Sequence, residues 1–138
     1  MIVLVDTPVW SLALRRKPGD LSRREAALTQ ALAELIRDGR AQIIGVIRQE
    51  LLSGIREAER FEKLRKYLRA FTEPALEVRD YEGAAQMHNQ CRRQGVTGSA
   101  IDFLICAAAH RRDWLVFTTD QDFERYAKVL PVKLYAPV

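Results

Sequence analysis

The sequence predicts an α/β fold with a central parallel sheet of about five strands covered by helices on both faces. Three observations carry this. Short apolar runs alternate with longer segments of helical spacing, the order expected of parallel strands joined by crossover helices. The 138 residues are 48% apolar and 29% charged, which suits one domain over 1–138 with a core of its own. Two apolar runs, Ile2–Val5 and Leu115–Phe117, break off almost at once into carboxylates.

Each element follows in order. Residues 2–5 form the first strand, and Pro8 then suits the opening position of a helix capped by Asp6 or Thr7. That helix ends near Arg16. Ser22 and Glu25 have capping-box spacing for a second helix with an apolar stripe at Leu28, Leu32, Leu35 and Ile36, ended by Gly39. Residues 41–45 are a strand. Residues 46–71 are helical, broken around 54–59, with a stripe at Phe61, Leu64, Leu68 and Phe71. Residues 76–78 are a short strand and 80–94 a helix ended by Gly95. A helix from Ala100 to about Arg112 is rich in small apolar residues, and a strand at 114–118, a helix at 122–129 and a last strand at 132–135 complete the chain.

Several function classes drop out. No apolar run is long enough to span a membrane. The N-terminus lacks a basic region followed by a longer apolar stretch, so no signal peptide is expected and the cytoplasm is the expected compartment. Cys91 and Cys106 form no C-x-x-C, and with His88 and His110 they show no zinc spacing, so they read as buried reduced thiols. A protease-like Cys91–His88 pair lacks orienting and oxyanion groups. A dinucleotide site needs a glycine-rich turn after the first strand, and "VDTPVW" has none. A haloacid-dehalogenase-like phosphatase needs an acid where Pro8 stands, and a receiver domain needs an acidic pair at the first strand.

The net charge is 22 − 18 = +4, with clusters at 15–17, 23–24, 92–93 and 111–112. Such clusters fit a nucleic-acid partner, and each also fits a solvated helix end.

The acids carry more information. Asp6 follows the first strand, Glu50 lies early in the helix after the second, Asp102 sits in the first turn of the helix opened by Ser99, and Asp120 and Asp122 follow the strand at 114–118. Ligands of parallel sheets bind outside the carboxyl ends of the strands, and all of these acids should project there. Taken singly, Asp6 and Asp120 can be helix caps, Asp102 half of a capping box, and Glu50 an exposed helix acid. Yet "SAIDFLICAAA" has no other charge near Asp102, so this acid must stand at the mouth of the core or bear a large desolvation penalty. Four gathered carboxylates repel one another, and Mg²⁺ or Mn²⁺, with their preference for oxygen, make the arrangement natural. Phosphodiester hydrolysis is the chemistry such a site suggests. Thr7, Thr118 and Thr119 stand beside the acids as possible orienting hydroxyls or as turn residues.

At this point the sequence resembles the PIN-domain nucleases, and most closely the small VapC-type toxins of toxin–antitoxin pairs. The resemblance rests on "VLVDTPVW", "VIRQELLSGIR", "TGSAIDFLICAAA" and "LVFTTDQDF", in that order along essentially the whole chain. It implies a PIN-like three-layer α/β/α fold and an acidic quartet of Asp6, Glu50, Asp102 and Asp120. Within it, Asp6 and Asp102 would be the more direct metal ligands. Asp120 would act mainly through water, Glu50 would bind metal or help activate the nucleophile, and Asp122 would have a lesser or structural role. It also implies Mg²⁺- or Mn²⁺-dependent endoribonuclease activity on an RNA substrate, a homodimer, and inhibition by a cognate antitoxin. A non-catalytic nucleic-acid or protein-binding domain of the same fold is the alternative. Trp10, Leu12, Leu14, Phe61, Leu64 and Tyr67 can serve either as core or as the groove for an amphipathic antitoxin segment.

Overall fold

Strand β1, Val3–Val5, has no polar residue and no exposed one. It can be buried on both faces because it lies between two parallel neighbours, β2 (Ala41–Gln42) and β3 (Leu115–Phe117), in the order β2-β1-β3. The computed structural model describes residues 1–137; Val138, the last residue of the expected domain, lies outside them.

The helices match the spacing that predicts them. Helix α1, Thr7–Arg15, has Pro8 in its opening turn and Asp6 as N-cap. Helix α2, Arg23–Arg37, has the full Ser22–Glu25 capping box, and Gly39 leaves it at φ +69°. Helices α3 (Gly45–Leu52) and α4 (Ala58–Leu68) are separated by a turn in which Gly54 takes φ +86°. Helix α5 is Val78–Arg93, α6 is Ala100–Arg112 and α7 is Asp122–Val129. From Phe103 to Ala109 every residue of α6 is buried, so it is apolar on all sides and acts as a central post against which α5 packs.

Two expected strands do not form, and the sheet has three strands among the described residues. Residues 76–78 instead lead into α5. Glu77 is the N-cap, in a reciprocal capping arrangement with Asp80, and Val78 is 74% exposed, so it has no sheet to be buried in. Residues 132–135 follow Pro131, which has no N–H to donate. They make one bridge, Val116 to Leu134, built from Val116 N–H to the Lys133 carbonyl (2.9 Å) and Tyr135 N–H to the Val116 carbonyl (2.8 Å).

Asp80 is wholly buried, and sequence reasoning gave it no role. Arg112 of α6 holds both of its oxygens, at 2.8 and 3.0 Å, Arg111 lies 3.0 Å away, and the Glu77 N–H donates at 2.8 Å. The Arg112 hydrogen bonds, foremost, bring its carboxyl down to about 2. The 111–112 basic cluster is therefore engaged in joining α5 and α6, a role beside the two left open for it, a nucleic-acid contact or a solvated helix end. Trp10 and Leu12 likewise belong to the core, and Trp10 Nε1–H donates to the Val5 carbonyl at 2.9 Å.

A depressed carboxyl stabilises the fold above its unfolded pKa, and that contribution is lost as pH falls from about 4 through about 2. Asp80→Asn is expected to lower the unfolding free energy by roughly 2–3 kcal/mol at neutral pH. It should also blunt the acid limb of the stability curve; denaturant titrations of both proteins from pH 7 to 2 measure this.

Candidate metal centre

The strand order turns about β1, so the chain segments leaving β1 and β3 emerge side by side at their carboxyl ends. The Asp6 N–H donates to the Phe117 carbonyl at 2.9 Å, which seats Asp6 at that junction with 6% of its surface exposed. Both of its oxygens are engaged. Oδ1 accepts from the Thr7 N–H and Oδ2 from the Thr118 hydroxyl, each at 2.8 Å.

A continuous hydrogen-bonded chain runs outward from there. On one side the Thr7 hydroxyl donates to Glu50 Oε1 at 2.8 Å, reaching across to α3. On the other, the Thr118 hydroxyl accepts from the Asp120 N–H at 3.0 Å, and Asp120 Oδ1 accepts from the Asp122 N–H at 2.9 Å. Asp102 stands in the first turn of α6, its N–H donating to the Ser99 hydroxyl at 3.1 Å. The Tyr126 hydroxyl donates to Asp102 Oδ2 at 2.6 Å. Asp122 also pairs with Arg125.

Among the described residues, Asp102, Asp120 and Asp122 form the tight grouping, each offering an oxygen within 4.8 Å of the others. Asp6 and Glu50 lie outside it and connect through Thr7 and Thr118. The arrangement thus differs from the expected quartet in two respects: Asp122, given a lesser role by the resemblance, stands inside the tight group, while Asp6, expected as a more direct ligand, and Glu50 stand outside it. Thr119 faces a groove of about 510 Å³ between α1 and α2, lined also by Arg15, Arg16, Arg24 and Gln121. Sequence reasoning did not single out Tyr126 or Gly98. A tyrosine four residues beyond Asp122, on the face of α7 that returns to the site, was the available signal.

Burial pushes the Asp6 carboxyl up from its ordinary value of 3.8 to about 6; the Thr118 and Thr7 hydrogen bonds oppose this, while the charges of Asp102 and Glu50 add to it. Burial, with the Asp102 contact, raises Tyr126 far above the ordinary phenol range, so it remains a donor. An all-oxygen set of crowded carboxylates, one of them held short of full ionisation, fits a hard divalent cation such as Mg²⁺ or Mn²⁺.

In chelator-treated protein, Asp6 binds its proton more tightly folded than unfolded. Stability is therefore expected to fall as pH rises from about 4 through about 6, by on the order of 3 kcal/mol for this group. Asp6→Asn should flatten that slope. Thermal melts across the window compare the two proteins, and equal slopes would contradict the assignment.

The family model of the PIN domain matches residues 3–129. Solved structures with the same fold include VapBC2 from Rickettsia felis bound to a DNA fragment from its promoter, at 14% identity with 98% of each chain covered and a TM-score of 0.76. FitAcB from Neisseria gonorrhoeae is similar at 19% identity, covering 99% of this chain and 98% of that one, with a TM-score of 0.74. VapBC-1 from nontypeable Haemophilus influenzae is similar at 14% identity, covering 98% and 97%, with a TM-score of 0.71. A match over nearly the whole chain shows that the chain belongs to the PIN domain family.

Proposed function

We propose that this protein is a Mg²⁺- or Mn²⁺-dependent endoribonuclease and the toxin of a toxin–antitoxin pair. The observation that carries the reading is the convergence of Asp102, Asp120 and Asp122 from two distant segments, tied through Thr118 to the buried Asp6. Asp102, Asp120 and Asp122 would hold the cation, with Asp6 as the ligand from the core side. A bound Mg²⁺ or Mn²⁺ would supply Lewis acidity toward the phosphate oxygens and lower the pKa of a water. Glu50, solvent-exposed and oriented by Thr7, would accept the proton of the attacking water as the phosphorus–oxygen bond to the leaving ribose breaks. Thr7 and Thr118 keep the carboxylates from rotating away.

The groove beside Thr119 gives RNA a basic approach. Arg24 is exposed there, Arg15 binds the Leu51 carbonyl, and Arg16 pairs with Glu25, an exposed pair that a phosphate can displace at little cost.

The antitoxin reading rests on a second groove, of about 310 Å³ between α1 and α4. Leu14, Ile55, Leu64 and Tyr67 form its apolar floor, and Arg15, Arg60 and Lys63 rim it. That profile suits an amphipathic segment with acidic flanks. An arginine from the segment can pair with the site carboxylates and so block the cation electrostatically. Val78 and Tyr81 are exposed beside an apolar recess between α5 and α6, which supports a homodimer on that face. No described helix is long and apolar enough to cross a membrane.

Two outcomes are expected. Purified protein should cleave RNA with Mn²⁺ and stop with chelator, and Asp6→Asn and Asp102→Asn should each lower the rate on the order of a hundredfold. Cleavage by Asp6→Asn at the wild-type rate would sink the nuclease assignment. Leu64→Arg should weaken capture of a cognate antitoxin while RNA cleavage persists; co-purification and cleavage assays report the two separately.

A further inference from the structure

Tyr126 is fully buried, with its ring packed against Phe103 and Phe123 at centroid distances of 5.0 and 5.1 Å. Its hydroxyl emerges from this aromatic packing only at Asp102 Oδ2, 2.6 Å away. Room for it depends on Gly98. A β-carbon at that position would lie 2.3 Å from the phenolic oxygen and 2.7 and 2.8 Å from two ring carbons, closer than such atoms approach. The glycine is needed here for space, because its backbone is not in the left-handed region.

The three clustered acids are restrained differently. Asp120 accepts a backbone N–H, and Asp122 pairs with Arg125. The Asp102 carboxylate is held by Tyr126. An aspartate side chain has two rotatable bonds, and fixing one oxygen from a rigid ring fixes the other as well.

We propose that Tyr126, admitted by Gly98, is a positioning residue that holds the Asp102 carboxylate in the cluster with Asp120 and Asp122, set for a divalent cation. This rests on the metal-dependent reading above. The phenol would act through Asp102 and touch neither cation nor RNA. Removing only its hydroxyl would leave the ring packing in place and free the carboxylate to rotate.

The test is calorimetric titration of Mn²⁺ into chelator-stripped wild type, Tyr126→Phe, Asp102→Asn and Leu35→Ala, with the metal-free melting temperature of each. Leu35 is a buried residue of α2 whose truncation loosens the core elsewhere. Tyr126→Phe is expected to bind Mn²⁺ about tenfold more weakly, Asp102→Asn to lose most binding, and Leu35→Ala to melt lower with unchanged Mn²⁺ affinity. Wild-type affinity in Tyr126→Phe, with binding lost in Asp102→Asn, would overturn the positioning role and leave the nuclease reading standing. An equal loss in Leu35→Ala would overturn it too, because general loosening would then explain the effect. Failure of wild type to bind Mn²⁺ would overturn both.

Discussion

A carboxylate at the end of a buried central strand is the constraint around which this protein is arranged. Asp6 follows directly from β1, whose residues have no exposure at all, so its charge meets the core before it meets water. An ionised group there is costly unless it is hydrogen-bonded or neutralised. The fold answers with two donors: the first N–H of α1, and the Thr118 hydroxyl just past the neighbouring strand β3. The Thr7 hydroxyl then reaches Glu50, and the Thr118 hydroxyl accepts from the Asp120 N–H. The geometry that makes Asp6 tolerable is therefore the geometry that gathers the other acids.

Much of this was legible in the sequence because its signals are local. Capping residues and glycines marked the helices: Ser22 with Glu25 opens α2, and Gly39, Gly54 and Gly95 take positive φ where the chain turns. The strand-end positions of Asp6 and Asp120 followed from apolar runs that stop abruptly. What could not be read depends on pairing between distant segments. Leu76–Val78 has strand composition, yet the Glu77–Asp80 cap sends it into a helix. Residues 132–135 pair with the sheet through a single bridge, Val116 to Leu134. The place of Asp122 in the tight group, and the contact of Tyr126 with Asp102, arise from how α7 meets the start of α6: the four-residue spacing puts Asp122 and Tyr126 on one face of α7 but does not say what that face meets.

Charge in this chain serves two separate ends. At the carboxyl edge of the sheet, acids stand together with few cations near them, and burial, with a smaller addition from the charges of Asp102 and Glu50, raises Asp6. At the opposite end of α6, a single buried acid is surrounded by guanidinium groups and stays fully ionised. A carboxylate with its own cations is part of the scaffold, whereas carboxylates left without them favour a cation from outside. The contrast between Asp80 and Asp6, both almost inaccessible, shows why burial alone does not identify a working acid.

The hydrogen bond between Thr118 and Asp6 spans 112 positions of the chain. During translation, Asp6 leaves the ribosome long before its partner is made, and β1 must wait for β3 to form its second edge. The acidic notch therefore closes only once the segment around Thr118 has emerged. A nascent chain that stops short of Thr118 carries every residue of the first helices and yet has no assembled centre.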